Sequence, residues 1–413
     1  MKILQINTVF PYGSTGKIVE CIHDTLMHEN DFESVVVYGN GKSLHKKNIY
    51  KIGNVILGKY NALLSRITGV MYGGCFFSTN KLIGIIKKEK PDIVHLHCLN
   101  GHFVNIYRLV TWLKKHSIKT VLTLHAEFMY TGGCGHSIDC NQWSTRNGCG
   151  HFGCPRYRSD MHSWFFDRSR TMWKRMKKAF DGFNDNLLVV SVSPWLMERA
   201  KRSPIFEDKK HEVILNGVNT DVFHFYDTSE LRSQMGLNGV KVIFHATPSF
   251  DDNINNIKGG YYVLKLAEKM LDENVKFVVA GNYPEGLNVP PNVILLGKVS
   301  DQEQLAKYYS MADVTLLTSK KETFSMVTAE SLCCGTPVVG FKAGAPEQIA
   351  IPEYSSFVDF GDIESLHEEM KKFLAKSFLK IDIELTSNRK YAKQTMIQNY
   401  IDIYNELDNK QIN

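Results

Sequence analysis

Short, unbroken apolar runs alternate along the chain with longer stretches whose apolar positions recur every three or four residues. In the first half the runs cover residues 3–6, 35–38, 93–96, 120–124 and 187–192. In the second half they cover 240–245, 277–280, 293–296, 314–317 and 337–339. Helical spacing fills the stretches between them, as in 18–28, 261–271 and 302–311. A strand covered by helices on both faces has no polar side, so continuous β-branched runs alternating with helices predict parallel sheets. The series occurs twice. Two doubly wound α/β domains are therefore expected, with ligands at the C-terminal ends of the strands, facing a cleft between the domains.

Turn-rich sequence around Ser193-Pro194 and Ser203-Pro204 puts the boundary near 195–215. The expected division is an N-terminal domain over 1–205, a C-terminal domain over 206–385 and a terminal helix within 386–413. From Ser387 to Asp408 a single long helix is expected, with Tyr391, Met396, Tyr400, Ile403 and Tyr404 at roughly helical spacing. It either returns to the first domain or caps the second.

Composition narrows the class. The 413 residues are 43% hydrophobic and 22% charged, ordinary globular values that exclude disorder, collagen-like repeats and a disulfide scaffold. No apolar run approaches the ~18 residues of a membrane-spanning helix. The opening MKILQINTVFPYG reads as a first strand, not a signal peptide. A cytoplasmic protein is expected, its nine cysteines reduced or metal-bound. Charge adds one asymmetry: residues 1–205 hold 28 Lys and Arg against 14 Asp and Glu, and the remainder 21 against 29. A basic half suits a polyanion or an anionic membrane surface, although a solvated basic face needs no partner.

The densest chemical signal is residues 320–340, KKETFSMVTAESLCCGTPVVG. A strand ending near Ser319 leads through a loop carrying Glu322 into a helix with Ser325 as N-cap and Gly335 as its stop. Glu330 lies eight residues after Glu322, about two helical turns, so the two carboxylates can line one ligand from its two ends. Carboxylates accept hydrogen bonds from sugar hydroxyls, while the helix N-terminus suits a phosphate. Two surface glutamates on a helix would share that spacing; the following GTPVVG and Gly344-Ala345-Pro346-Glu347 weigh against it.

This segment resembles the E-x7-E signature of the family 4 retaining glycosyltransferases, which have the GT-B fold. Further stretches agree in order along nearly the whole chain: Gly13-Ser14-Thr15-Gly16, Asp92-Ile93-Val94-His95-Leu96-His97, Thr123-Leu124-His125, Val192-Ser193, Asn216-Gly217-Val218-Asn219 and Lys258-Gly259. The stretch HAEFMYTGGCGHSIDCNQWSTRNGCGHFGCP is similar to the subgroup of colanic-acid-type polysaccharide glycosyltransferases. The resemblance implies transfer of a sugar from a UDP- or GDP-linked donor to a saccharide or lipid-linked oligosaccharide, with retention and without a catalytic metal. It assigns Glu322, Lys258 and His125 to catalysis. Gly16, Thr323, Phe324, Ser325 and Glu330 fall to the donor, Glu330 on the ribose and Lys258 on the diphosphate. Two departures stand out. The Arg that the family places before the Lys is absent, the strand running on into Ala246-Thr247-Pro248; and Ala126-Glu127 follows His125 where the family commonly has Asp.

Weaker signals carry competing readings. His97, Asn100 and His102 cluster at a strand end and suit an acceptor pocket or a structural role. Cys134, Cys140, Cys149 and Cys154 are candidate ligands of a structural zinc, although their spacing is not that of a zinc knuckle and unliganded thiols fit as well. Residues 163–180, SWFFDRSRTMWKRMKKAF, form a basic aromatic stretch that suits either a membrane interface or a core-facing stripe. Peripheral attachment to the inner face of the cytoplasmic membrane follows from the first. GSTGK at 13–17 fails as a P-loop, since Pro11 stands where the first Gly belongs and Ile18 where a Ser or Thr would hold magnesium. No nucleic-acid reader is recognised. The rival functions are a nucleotide-sugar epimerase on the same fold and a non-catalytic sugar-binding subunit.

Overall fold

In the computed structural model, which describes residues 1–409, all ten apolar runs are β-strands. The chain divides into two compact units: Met1–Ile214 together with the chain from Ile397, and Leu215–Met396. In the first unit the strands are β1 (Lys2–Val9), β2 (Glu33–Asn40), β3 (Ile49–Lys51), β4 (Ile93–Leu96), β5 (Lys119–Leu124), β6 (Leu187–Ser191) and β7 (Lys210–Val213). They form one seven-stranded sheet in the order β3-β2-β1-β4-β5-β6-β7, parallel throughout. The second unit has β8 (Lys241–Ser249), β9 (Val275–Asn282), β10 (Val293–Gly297), β11 (Val314–Leu317), β12 (Val338–Phe341) and β13 (Ser355–Val358). Its order is β10-β9-β8-β11-β12-β13, again all parallel. Two Rossmann-like parallel sheets result, as the alternation of runs and helices requires.

Three strands escape the hydrophobic pattern: β3, β7 and β13. Each is short, sits at a sheet edge and has no fully buried residue. An edge strand pairs on one side only, so nothing forces its sequence to be apolar on both faces.

The C-terminal segment is not one helix but two, Lys380–Tyr391 and Lys393–Asn409. The break is Ala392, where Val218 N donates to Tyr391 O at 2.7 Å and Lys393 N to Val218 O at 2.9 Å. Ala392 is extended (φ −55°, ψ 139°), because a residue bridged to a strand segment cannot also be helical. Tyr400 and Tyr404 belong to the first unit and Tyr391 and Met396 to the second; all four are buried.

The basic aromatic stretch at 163–180 divides between its two readings, with Trp164, Phe165 and Phe166 exposed ahead of a helix that packs inward. Its helix is Ser169–Phe180, and Met172, Trp173, Met176 and Phe180 are buried in the first unit. That apolar stripe faces the core and leaves the helix no apolar side for a membrane. Among the described residues no helix is long and apolar enough to cross a bilayer.

Candidate active site

Lys258 and Glu322 are 64 residues apart in sequence and meet in the second unit, Lys258 Nζ donating to Glu322 Oε1 at 2.8 Å. The loop after β8 delivers the lysine. Asp251 accepts from Asn253 N (3.0 Å) and Asn256 Nδ2 (2.7 Å), and Asn256 Oδ1 accepts from Lys258 N (3.0 Å). Side chains that mimic turns stiffen this passage. Thr318, at the end of β11, then donates from Oγ1 to Lys258 O at 3.1 Å. Gly259 follows at φ +72°, and a Cβ there would lie 2.1 Å from the Thr318 carbonyl oxygen. Only glycine lets the loop approach this strand end.

Glu322 is held by its backbone against the loop that follows β12. Its N–H donates to Ala343 O at 2.9 Å, and its carbonyl accepts from Ala345 N at 3.2 Å. Glu347 braces that loop, its carboxylate accepting from Ala343 N and Gly344 N at 2.9–3.0 Å. Ser325 caps helix Met326–Cys333 through Thr328 N at 3.3 Å, and Gly335 ends the segment at φ +75°. Ser325 itself has φ 86° and ψ 87°, a strained backbone for a residue with a side chain. Phe324 beside it is buried, and Thr323 is half-buried.

Glu330, further along this helix, lines an open pocket of about 920 Å³ with Thr247, Asn282, Lys298, Tyr309 and Val327. Tyr309 donates to Glu330 Oε2 at 3.3 Å. Burial first, then the Glu330 carboxylate, pushes the Tyr309 hydroxyl well above its ordinary range and so keeps it a donor. Glu322 and Lys258 are not among the residues lining this pocket. Glu330 thus borders this pocket, whereas Glu322 is paired with Lys258. Lys298 and Tyr309 carry no motif and were invisible to sequence reasoning. Thr247, at the end of β8 where the family's Arg is expected, lines the pocket but brings no charge.

In the first unit the loop after β1 enters helix Gly13–His28, and a Cβ on Gly16 would lie 3.2 Å from Val9 O. At the ends of β4 and β5 a chain of neutral side chains fixes one histidine. Gln5 Nε2 donates to Val19 O at 3.5 Å, which turns Gln5 Oε1 toward His97 Nε2 at 3.3 Å. His97 Nε2 is then the protonated nitrogen, so His97 Nδ1 accepts from His125 Nε2 at 3.4 Å. Burial pushes the His125 imidazole down to about 4, and burial with the neighbouring rings holds His95 and His97 well below their ordinary value.

His97 is only 1% exposed and has both ring nitrogens engaged, one with Gln5 and one with His125. Asn100 is exposed and His102 half-buried, on a loop held by Thr8 Oγ1, which donates to Cys98 O (2.8 Å) and Asn100 O, and by Asn40 Nδ2, which donates to Gly101 O (3.0 Å). Behind β4 and β5, His95 takes Tyr404 Oη at 2.6 Å and Thr123 Oγ1 at 2.8 Å.

Cys134, Cys140, Cys149 and Cys154 line one small cavity with Gly132 and Ser169. Gly132 N donates to Cys149 Sγ at 3.0 Å, and the Cys134 and Cys154 thiols hydrogen-bond each other. That bond draws the Cys154 thiol down and pushes Cys134 up. Among the described residues, however, no three or more His, Cys, Asp or Glu side chains are disposed to hold a metal ion.

Comparison with known proteins supplies the family. The family model for Glycosyltransferase Family 4 matches residues 27–222, and that for Glycosyl transferases group 1 matches residues 252–395. The chain is 21% identical over 98% of its length, and the whole of the relative, to a protein of Escherichia coli K12 named "Putative colanic acid biosynthesis glycosyl transferase WcaC". It is 23% identical over 71% of its length, and 68% of the relative, to N-acetyl-alpha-D-glucosaminyl L-malate synthase of Bacillus anthracis. Among solved structures, Anabaena HepE in complex with UDP-glucose aligns over 98% of this chain and all of that one, at 15% identity and a TM-score of 0.61. Two matched regions that between them take in most of both units leave one conclusion: the chain belongs to the family 4 glycosyltransferases and has their two-domain GT-B fold.

Proposed function

We propose that this glycosyltransferase moves a hexose from a UDP- or GDP-sugar to a lipid-linked saccharide during surface-polysaccharide assembly, with retention and without a catalytic metal. The Lys258–Glu322 pair carries the reading: a cation and a hydroxyl acceptor fixed 2.8 Å apart at the strand ends of one parallel sheet.

On this reading the second unit holds the donor. Glu330, oriented by Tyr309, takes the ribose hydroxyls, and the pocket beside it takes the base. Lys258 and the first N–H groups of helix Met326–Cys333 meet the diphosphate, the ammonium supplying charge that a metal supplies in other transferases. Glu322 accepts from the hydroxyls of the donor sugar while Lys258 swings to phosphate, so the ion pair is a resting arrangement that substrate exchanges for two substrate contacts. Thr323, Phe324 and Ser325 offer backbone N–H groups, their loop pre-formed by the strain at Ser325. With no Arg at Thr247, leaving-group charge rests on Lys258 and the helix terminus.

The first unit holds the acceptor. Gly16 admits the diphosphate to the backbone, and His125, kept neutral by burial, orients a hydroxyl near the reacting carbon. Attack from the face of the departing phosphate, which takes the acceptor proton, retains the configuration. Asn100 and His102 border the acceptor.

Relatives support the class and leave the acceptor open, since one is named for colanic acid biosynthesis and another as an N-acetyl-alpha-D-glucosaminyl L-malate synthase. A thermal-shift series of UDP- and GDP-sugars identifies the donor, because a bound ligand raises apparent stability by mass action. Turnover in chelator with an α-linked product from an α-linked donor is the expected result. Donor conversion in buffer lacking acceptor would make the protein an epimerase, and tight binding without any turnover a sugar-binding subunit.

A further inference from the structure

Helix Val55–Thr68 is well made and badly covered. Asn54 caps it by accepting from Ile56 N (2.9 Å) and Leu57 N (3.2 Å), and Gly69 closes it at φ 71°. Of its 14 residues only Ser65 is buried, although half of them are large and apolar. Ile56 is 77% exposed. A surface helix of a globular protein turns its apolar stripe inward, so one that presents it to water has an occupant.

Two neighbouring segments extend the same patch. Trp164 N donates to Arg66 O at 2.8 Å in the last turn of the helix, and the Phe166 carbonyl lies 2.2 Å from where a Cβ on Gly69 would stand. The Trp164–Phe166 loop is thereby seated on the helix end, and Phe165 is 64% exposed. Cys75 N donates to Asn61 Oδ1 at 3.2 Å, which sets the start of helix Phe76–Glu89 beside the first helix; Phe77 there is 80% exposed.

Charge selects the occupant. Residues 41–90 hold ten Lys and Arg against one acid, Glu89, and Glu89 is taken up by Tyr50, Lys2 and Lys88. Exposed Lys59, Arg66 and Lys81 therefore stand at the patch uncompensated by acids of that segment, and exposed Arg168 lies against Gly69 at the helix end. A second copy of the chain would bring like charge onto like charge. An anionic bilayer answers both features, acyl chains for the apolar side chains and phosphate headgroups for the basic rim.

We propose that helix Val55–Thr68, with the Trp164–Phe166 loop and Phe76-Phe77, is a membrane-docking surface that lies in the headgroup region of an anionic bilayer. Its position gives the docking a use. A Cβ on Gly58 would lie 3.8 Å from His102 O, so the helix abuts the loop at the end of β4. That last link rests on the proposed acceptor side of the enzyme; the docking itself does not.

The test uses the full chain with vesicles of phosphatidylcholine alone and of phosphatidylcholine mixed with phosphatidylglycerol. Sedimentation with the mixed vesicles, loosened by salt, is expected, with a blue shift in emission that Trp164→Phe removes. The double variant Phe77→Ser/Phe165→Ser, altered only at exposed positions, should lose at least about tenfold in partitioning at unchanged Tm. Should that variant lose its fold, Lys59→Glu/Arg66→Glu supplies the same readout through charge. Equal binding to both vesicles, undiminished binding by the variants, or no binding at low salt overturns the proposal. So does a stable dimer that Phe77→Ser/Phe165→Ser dissociates. None of these outcomes depends on turnover, so failure here leaves the glycosyl-transfer assignment standing.

Discussion

Arg199 Nε donates to Glu127 Oε1 at 2.6 Å, inside the first unit, with the carboxylate fully buried. The same carboxylate accepts from Ser137 N (2.6 Å) and Tyr130 Oη (2.9 Å), and the guanidinium stacks on Trp143 and Trp195 with centroid distances of 4.5 and 4.8 Å. Glu127, two residues after His125, is thus the anchor of the cysteine-rich loop. Arg199→Ala strands a buried carboxylate and should cost about 3–5 kcal/mol of stability. Glu127→Gln, which keeps shape and one acceptor, should cost less. Denaturant unfolding of the two variants ranks them; equal, small losses would contradict the buried pairing.

Lys258 and Glu322 are partly exposed, so their ion pair contributes within about 1 kcal/mol to the fold. Lys258→Ala and Glu322→Gln should each leave Tm nearly unchanged while lowering kcat by roughly 10²–10³, the scale of losing one preorganised charge at a reacting group. Glu330→Gln should act differently, raising KM for the donor with less effect on kcat. Near-wild-type transfer by Lys258→Ala and Glu322→Gln would remove them from the chemistry.

Acid should unfold the first unit through its histidines. His125 falls to about 4 on burial, and His95 and His97 fall well below 6.5. A base depressed in the folded state binds fewer protons there than in the unfolded chain, so stability is complete above pH 6.5 and declines as pH drops toward 4. Carboxylates such as Glu89, held below their ordinary value, act only lower down. A Tm profile flat above neutrality and falling through this window is expected, with a shallower fall for His125→Asn.

The C-terminal helix should matter to the first unit through hydroxyls. Tyr404→Phe leaves His95 Nδ1 buried without its 2.6 Å partner, at a cost of about 1–3 kcal/mol. Hydrogen exchange at β4 and β5 should rise in this variant; unchanged protection would mean the hydroxyl contributes nothing.

Among the four loop thiols Cys154 should be alkylated first, because its hydrogen bond from Cys134 favours the thiolate. Cys134→Ala should slow that reaction at neutral pH. Protection of all four thiols that a chelator relieves, with zinc found on metal analysis, would instead show the loop closing on an ion.

What the sequence determined by itself is whatever depends on near neighbours. Central strands are buried on both faces, so each is a run of apolar residues and each was legible. Helix Met326–Cys333 was legible for the same reason: its cap, Ser325, and its stop, Gly335, stand within one stretch of chain. Edge strands such as β13 were not, because one-sided pairing imposes no such run. Tertiary structure alone decided the rest. Lys258 meets Glu322 across 64 residues, Glu127 meets Arg199 across 72, and His95 meets Tyr404 across 309. Burial, too, depends on what packs against a segment and not on its own letters. The helix at 55–68, half of it large and apolar, lies open, while the basic aromatic one at 169–180 buries its apolar stripe. Side-chain chemistry is local, but the partner that satisfies it is chosen by the fold.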